Sequence, residues 1–260
     1  MKYDFGAELK GKSVVVTGAS TGLGRVIAEA CIEAGAVLGV CARNGALLTS
    51  LYGDRSGEDG NVLTMAVDVT DGERVRAFAD AVVDRFGAVD VLIANAGVTD
   101  RRHHALIDLP ADVWMRVITT NVTGTFNTLQ TFLPHLRRSR GNAVVLSSLL
   151  GQRGHARAHD AAYCTSKFAI EGLVEVAGEE FREAGVNINT LFPAEKVDTE
   201  FFSAVPDTER RRLARPEVIL EPTLFLATVP PGTVTKTAVN GKRWREDGRY
   251  RHTLLNAAGV

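Results

Sequence analysis

The chain has 260 residues, with 30 Lys plus Arg against 31 Asp plus Glu and a formal net charge of -1. That balance excludes a protein that holds nucleic acid through a strong basic excess. With 45% hydrophobic and 23% charged residues, the composition is that of a chain able to bury a core, not of a disordered or fibrous one.

No Pro/Gly/Ser-rich linker divides the sequence, so residues 1–260 read as one domain. No apolar run reaches the roughly 18 residues that a membrane helix needs, and the opening MKYDFGAELKGK lacks the apolar stretch of a signal peptide. A cytoplasmic protein without membrane or nucleic-acid partners is expected. Cys31, Cys41 and Cys164 are too scattered for a disulfide framework or a CxxC zinc site and read as free thiols. The six histidines lack HExxH spacing, and no catalytic metal is expected.

In chain order, KSVVVT (12–17) is a β-branched run that ends in glycines and opens into GLGRVIAEACIEAG, which has helical spacing and a glycine stop. Strands follow at 36–42 and 61–69, an amphipathic helix at 72–87, and further apolar strands at 89–97, 142–148 and 185–193. Two long helical stretches, 111–137 and 161–184, separate the last three. Strands without period-2 alternation are buried on both faces, and the helices between them supply parallel crossovers. The fold class is therefore α/β, a doubly wound parallel sheet with helices on both faces. Its ligand edge lies at the carboxyl ends of the strands, in the loops beginning near 18, 43, 68, 95, 148 and 193. The region 229–260 is rich in Pro, Gly and charge, with one strand expected within 232–239 and no clear periodicity beyond it.

The turn Thr17-Gly18-Ala19-Ser20-Thr21-Gly22-Leu23-Gly24 joins the first strand to the first helix. Glycines there let the backbone approach a pyrophosphate, whose charge meets free amides and the positive end of the helix dipole. The spacing is GxxxGxG rather than GxGxxG. At the end of the second strand, Ala42 stands where an acid would bind the ribose hydroxyl of NAD, and Arg43 follows with a fork suited to the 2'-phosphate. NADP(H) is favoured and NAD(H) remains open. Tyr163 and Lys167 in YCTSK share one helix face at i,i+4 spacing. A phenol ordinarily titrates near pH 10, and a neighbouring ammonium favours its ionised form.

TGASTGLG, Asp68-Val69, Asn95-Ala96-Gly97, Asn121, Ser147-Ser148 and YCTSK stand in the order and approximate spacing of the short-chain dehydrogenase/reductase family, and the resemblance runs from about Lys10 to Thr199. It implies a Rossmann-type fold and an NAD(P)-dependent oxidoreductase that interconverts an alcohol and a carbonyl. Tyr163 would be the general acid or base, Lys167 would lower its pKa and hold the nicotinamide ribose, Ser148 would bond the substrate oxygen and Asn121 would position a proton relay. Gly18, Ser20, Thr21, Gly22, Leu23, Gly24 and Arg43 would bind the cofactor with Asp68, Val69, Asn95, Ala96 and Gly97 on the adenosine side. Pro193, Val197 and Thr199 would lie near the nicotinamide amide or pyrophosphate.

The chain departs from the family pattern at three places. Ser148 precedes Tyr163 by fifteen residues instead of about thirteen, so a two-residue insertion is read within 149–160, with Ser147 as the other candidate. The usual Pro-Gly after the sixth strand is Pro193-Ala194, and Thr199 comes one residue late. The end of the chain carries GKRWREDG in place of Asp-Gly-Gly, which puts the family's tetramer contact in doubt, while the long helices that resemble its dimer-forming pair are intact. A homo-dimer or homo-tetramer is expected.

Two basic loops, Arg101-Arg102-His103-His104 and Arg153, His155, Arg157, His159, flank the ligand edge, with Arg210-Arg211-Arg212 in the lid segment 194–215. They are either solvated faces or a rim that attracts an anionic acyl thioester. The substrate is a small-molecule or acyl-thioester carbonyl: a 3-oxoacyl thioester, or a small or polycyclic ketone. The alternative function is a regulatory protein that binds NADP(H) without turnover.

Overall fold

Val14, Val15 and Val16 have no exposed surface, because consecutive side chains of a strand point to opposite faces and both faces of this sheet are covered. Val14 and Val16 enter one core, with Ile27, Leu38, Phe225 and Trp244. Val15 enters the other, with Phe78, Leu92, Phe132 and Ile170. The computed structural model describes residues 5–57, 60–202 and 205–260.

The strands are β1 (Ser13–Thr17), β2 (Val37–Ala42), β3 (Val62–Ala66), β4 (Val91–Ala94), β5 (Asn142–Leu146), β6 (Asn187–Phe192) and β7 (Ala238–Asn240). They form one sheet in the order β3-β2-β1-β4-β5-β6-β7, and every pairing is parallel. The order reverses between β1 and β4, which opens a crevice at the carboxyl edge. On the face of the first core lie α1 (Gly22–Glu33), α2 (Gly45–Tyr52), α8 (Leu220–Thr228), α9 (Gly241–Glu246) and α10 (Gly248–Ala258); on the other lie α3 (Gly72–Phe86), α5 (Gly124–Ser139) and α6 (Ala161–Phe181). The short helices α4 (Ala111–Ile118) and α7 (Asp207–Arg210) complete the set.

Local chemistry sets the helix ends. Asp71 caps α3 by accepting from the amides of Glu73 and Arg74, and Gly87, at φ +78°, closes it. Asn44 caps α2 through the amide of Leu47.

The structure corrects the sequence reading in four respects. The strand expected over 61–69 stops at Ala66, and the helix expected over 111–137 is interrupted by a π-helical turn at Thr119–Thr123. Helices α2 and α8 were not expected. The region from 229 holds a strand only three residues long and then two helices, because Trp244 is driven into the core: it is 1% exposed, with its ring centroid 4.6 Å from that of Phe225. Among the described residues no helix is long and apolar enough to cross a membrane.

Candidate active site

The glycine turn is shaped by close approach. Gly18 has φ +68° and Gly22 φ +54°. A Cβ on Gly24 would lie 2.3 Å from Asn95 Nδ2 and 2.4 Å from Gly18 O, so a side chain there would break the turn. Asn95 itself braces the turn by donating from Nδ2 to Thr17 O (3.0 Å) and Gly18 O (3.1 Å). The amides of Asn95 and Ala96 both donate to Thr17 Oγ1 at 3.1 Å. The resemblance placed Asn95 along the adenosine; here its side chain is spent on the backbone of the crevice. The cradle of Gly18, Ser20, Thr21, Gly22, Leu23 and Gly24 at the start of α1 fits a dinucleotide pyrophosphate, being open to close backbone approach on the helix axis.

The other expected cofactor residues surround the same edge. Arg43 is exposed directly after β2. Asp68 Oδ1 accepts from the Thr70 amide (3.0 Å) and hydroxyl (2.8 Å), and Val69 packs against Gly124 at the start of α5. Gly97 faces Asn121, and Pro193 follows β6. Val197 is buried and bridges to Ala214. A Cβ on Gly22 would meet Thr199 Cγ2 at 3.3 Å and Glu200 Oε2 at 3.2 Å, so the lid segment rests on the turn and holds a carboxylate over it.

Tyr163 and Lys167 stand on the first turns of α6 with the ammonium 5.6 Å from the Tyr163 ring centroid. Lys167 is 5% exposed and donates to Leu146 O at 2.7 Å. Burial pulls its pKa down to about 8, against the opposing pull of Glu171 one turn on. Burial pushes Tyr163 up to about 12, partly offset by the interaction with the Ser148 hydroxyl. Desolvation of the phenolate is the largest influence on Tyr163 in the chain alone.

Ser148, not Ser147, is brought to Tyr163. The Ser147 hydroxyl is buried and finds no partner among the described residues, whereas Ser148 caps a 3-10 turn (Leu149–Gly151) through the Leu150 amide at 3.1 Å. In that turn Gly151 lies so close to Lys167 that a Cβ would sit 2.9 Å from its backbone.

Asn121 is fully buried on the π-turn. Its Oδ1 accepts from the Val98 amide (2.8 Å), and its Nδ2 donates to Val98 O (2.9 Å) and Ser166 Oγ (2.9 Å). Ser166 in turn donates to Tyr163 O at 2.7 Å, so the interruption of the helix is tied directly to the Tyr163 turn. Such turns often mark functional positions in helices.

Several groups at the site were not singled out from sequence. Glu171 accepts from Gln152 Nε2 and Thr190 Oγ1, each at 2.8 Å. Phe201 of the lid meets Tyr163 edge to face, with centroids 6.0 Å apart. Asp198 pairs with Arg210, so one arginine of the basic run is a lid anchor. The basic loops prove to be organised by two buried carboxylates: Asp100 takes the amide (2.9 Å) and Nδ1–H (2.8 Å) of His104, and Asp160 takes His103 and Arg157. Burial alone would raise the Asp100 pKa, but the bonds from His104 and Arg102 hold it below the usual carboxylate range. Asp100 and Asp160 carry no distinctive spacing, which is why only the basic residues of these loops stood out.

Fold and crevice define a nucleotide-dependent oxidoreductase, and residues 12–210 match the family described as short chain dehydrogenase. The chain belongs to the short-chain dehydrogenase/reductase family, NAD(P)(H)-dependent enzymes acting on CH–OH and C=O groups. It is 32% identical over 239 residues to the 3-oxoacyl-[acyl-carrier-protein] reductase FabG of Vibrio harveyi, covering 87% of this chain and 94% of that one. It is 33% identical over 264 residues to the D-threitol dehydrogenase of Mycolicibacterium smegmatis, covering 96% of each. The crystal structure of levodione reductase superposes with a TM-score of 0.80 at 25% identity, over 89% of this chain and 96% of that one.

Proposed function

We propose that the protein is an NADP(H)-preferring ketoreductase that interconverts a ketone and a secondary alcohol, with Asn121, Ser148, Tyr163 and Lys167 as its catalytic set. The observation that carries this reading is the convergence of Tyr163, Ser148 and the buried Lys167 at the carboxyl edge beside the glycine turn. The cofactor would be held by Gly18, Ser20, Thr21, Gly22, Leu23, Gly24, Arg43, Asp68, Val69, Asn95, Ala96, Gly97, Tyr163, Lys167, Pro193, Val197 and Thr199, with Arg43 selecting the 2'-phosphate. Bound there, it supplies or accepts the hydride.

The chain's own part is proton delivery and orientation. With its pKa near 12, Tyr163 is protonated at neutral pH and is ready to donate to a carbonyl oxygen. The Ser148 hydroxyl donates a second bond to the same oxygen as negative charge develops on it. The Lys167 cation, which Glu171 favours, stabilises the phenolate left behind. Because that cation is present below about pH 8 and lost above it, the reduction rate is expected to fall as pH rises through that value.

For the substrate we favour a 3-oxoacyl thioester or a small or polycyclic ketone, supported by the acyl-carrier reductase relative and by the basic loops. The location we infer is the cytoplasm, a reducing compartment that suits three buried free thiols. The rival reading, NADP(H) bound as a regulator without turnover, draws on the raised Tyr163 pKa.

Oxidation of NADPH and of NADH is to be followed for wild type and Tyr163→Phe against 3-oxoacyl thioesters, aliphatic ketones and polycyclic ketones. Turnover with NADPH is expected, with a loss of about 100-fold or more in the variant. NADPH binding with no turnover of any ketone would favour the regulator.

A further inference from the structure

Asp160 occupies the N-cap position of α6, three residues before Tyr163, yet its side chain makes no capping bond. An aspartate at that position ordinarily accepts from the free amides of its own helix. Here the carboxylate, 1% exposed, is given to two loops. His103 Nδ1–H donates to Oδ1 at 2.9 Å, and the Arg157 guanidinium bonds Oδ2. A buried carboxylate is tolerated only with such partners.

The two partners come from two different loops. His103 belongs to the loop whose start is gripped by Asn121 at Val98 and whose far end is folded around Asp100. Arg157 belongs to the 152–160 loop that follows Ser148 and its turn. Both loops also carry backbone strain beside the junction: His103 has φ +52° and His159 φ +68°. Non-glycine residues hold such angles only where surrounding contacts over-determine them.

We propose that Asp160 is a positioning residue that couples the 98–105 and 152–160 loops into one wall of the substrate mouth, so that it sets substrate affinity and selectivity rather than the chemical step. This rests on the ketoreductase reading for what the wall encloses, but the coupling itself is a property of the fold. Of the basic residues that suggest an anion-attracting rim, His103 and Arg157 are consequently engaged by Asp160, while Arg101, Arg102, Arg153, His155 and His159 are exposed with no ion pair among the described residues.

Hydrogen–deuterium exchange of wild type, Asp160→Asn and Arg157→Ala decides the coupling without any turnover. Exchange in 98–105 is expected to rise about tenfold in Asp160→Asn, and also to rise in Arg157→Ala, which removes the guanidinium bonded to Asp160. The glycine turn is expected to stay unchanged. On the ketone that wild type reduces best, His103→Ala and Arg157→Ala should each raise KM about fivefold with kcat within about threefold, and the double variant should fall short of the product of the two. These two positions are half exposed, so their variants remain informative if Asp160→Asn does not fold. Unchanged exchange in 98–105, or a loss confined to kcat, would overturn the proposal. If no ketone is reduced, the exchange arm still decides the coupling, while the ketoreductase reading fails separately.

Discussion

Ala194 holds a left-handed backbone, φ +60°, in the loop after β6. An L side chain at that angle costs roughly 1–2 kcal/mol, whereas glycine adopts it freely. The replacement of the usual glycine has therefore left the turn in place and added strain beside the cofactor edge. Ala194→Gly is expected to raise stability by up to about 1 kcal/mol, the relief of strain being partly offset by the greater freedom of glycine in the unfolded chain. Urea titration checks it: the midpoint should rise with an unchanged m-value, and a lower midpoint would mean that neighbouring contacts prefer the methyl group. At this scale, residues with a distinctive spacing were legible, namely the glycine turn and the Tyr163–Lys167 pair. Asp160, Glu171 and Phe201 were not, because their partners come from Arg157 and His103, Thr190 and Gln152, and Tyr163, which only the folded chain brings together.

At the scale of elements, the buried strands announced themselves as unbroken β-branched runs, and the parallel sheet with helices on both faces followed from the crossovers. Helix α8 (LEPTLFLAT) was missed because it is apolar on most sides, with Pro222, Phe225 and Leu226 all buried, and so shows no amphipathic period. The two helices after β7 were missed for another reason: six- and eleven-residue segments full of Arg read as loop, although a single large side chain anchors them. Trp244 packs against Phe225 with the rings tilted by 35°, Phe225 meets Phe5 edge to face at 5.5 Å, and Arg245 next to Trp244 pairs with Glu195 in the strained loop. Trp244→Ala is expected to cost about 3–5 kcal/mol, as for other large aromatic deletions in a core. Thermal unfolding followed by circular dichroism tests this. A cost under about 1 kcal/mol would show that the α9 and α10 region sits on the core without sharing its cooperativity.

At the scale of the whole molecule, the sheet is covered on both faces, yet large apolar side chains remain outside: Met115 on α4 is 55% exposed, Phe126 on α5 43%, and Phe168 and Val176 on α6 40% and 56%. Apolar surface of this kind on the outer sides of helices marks association. The far edge of the sheet offers less. Strand β7 has three residues and is followed at once by α9, so little ladder is open there for a second pair of chains. We therefore expect a homo-dimer through the helical face in preference to the homo-tetramer. Light scattering behind size exclusion should give twice the monomer mass for wild type, and Phe168→Glu combined with Val176→Glu should give the monomer with its circular dichroism spectrum retained. A wild-type monomer at micromolar concentration would refute association altogether. A tetramer would show that the short β7 edge, or the helices after it, carries an interface despite its length.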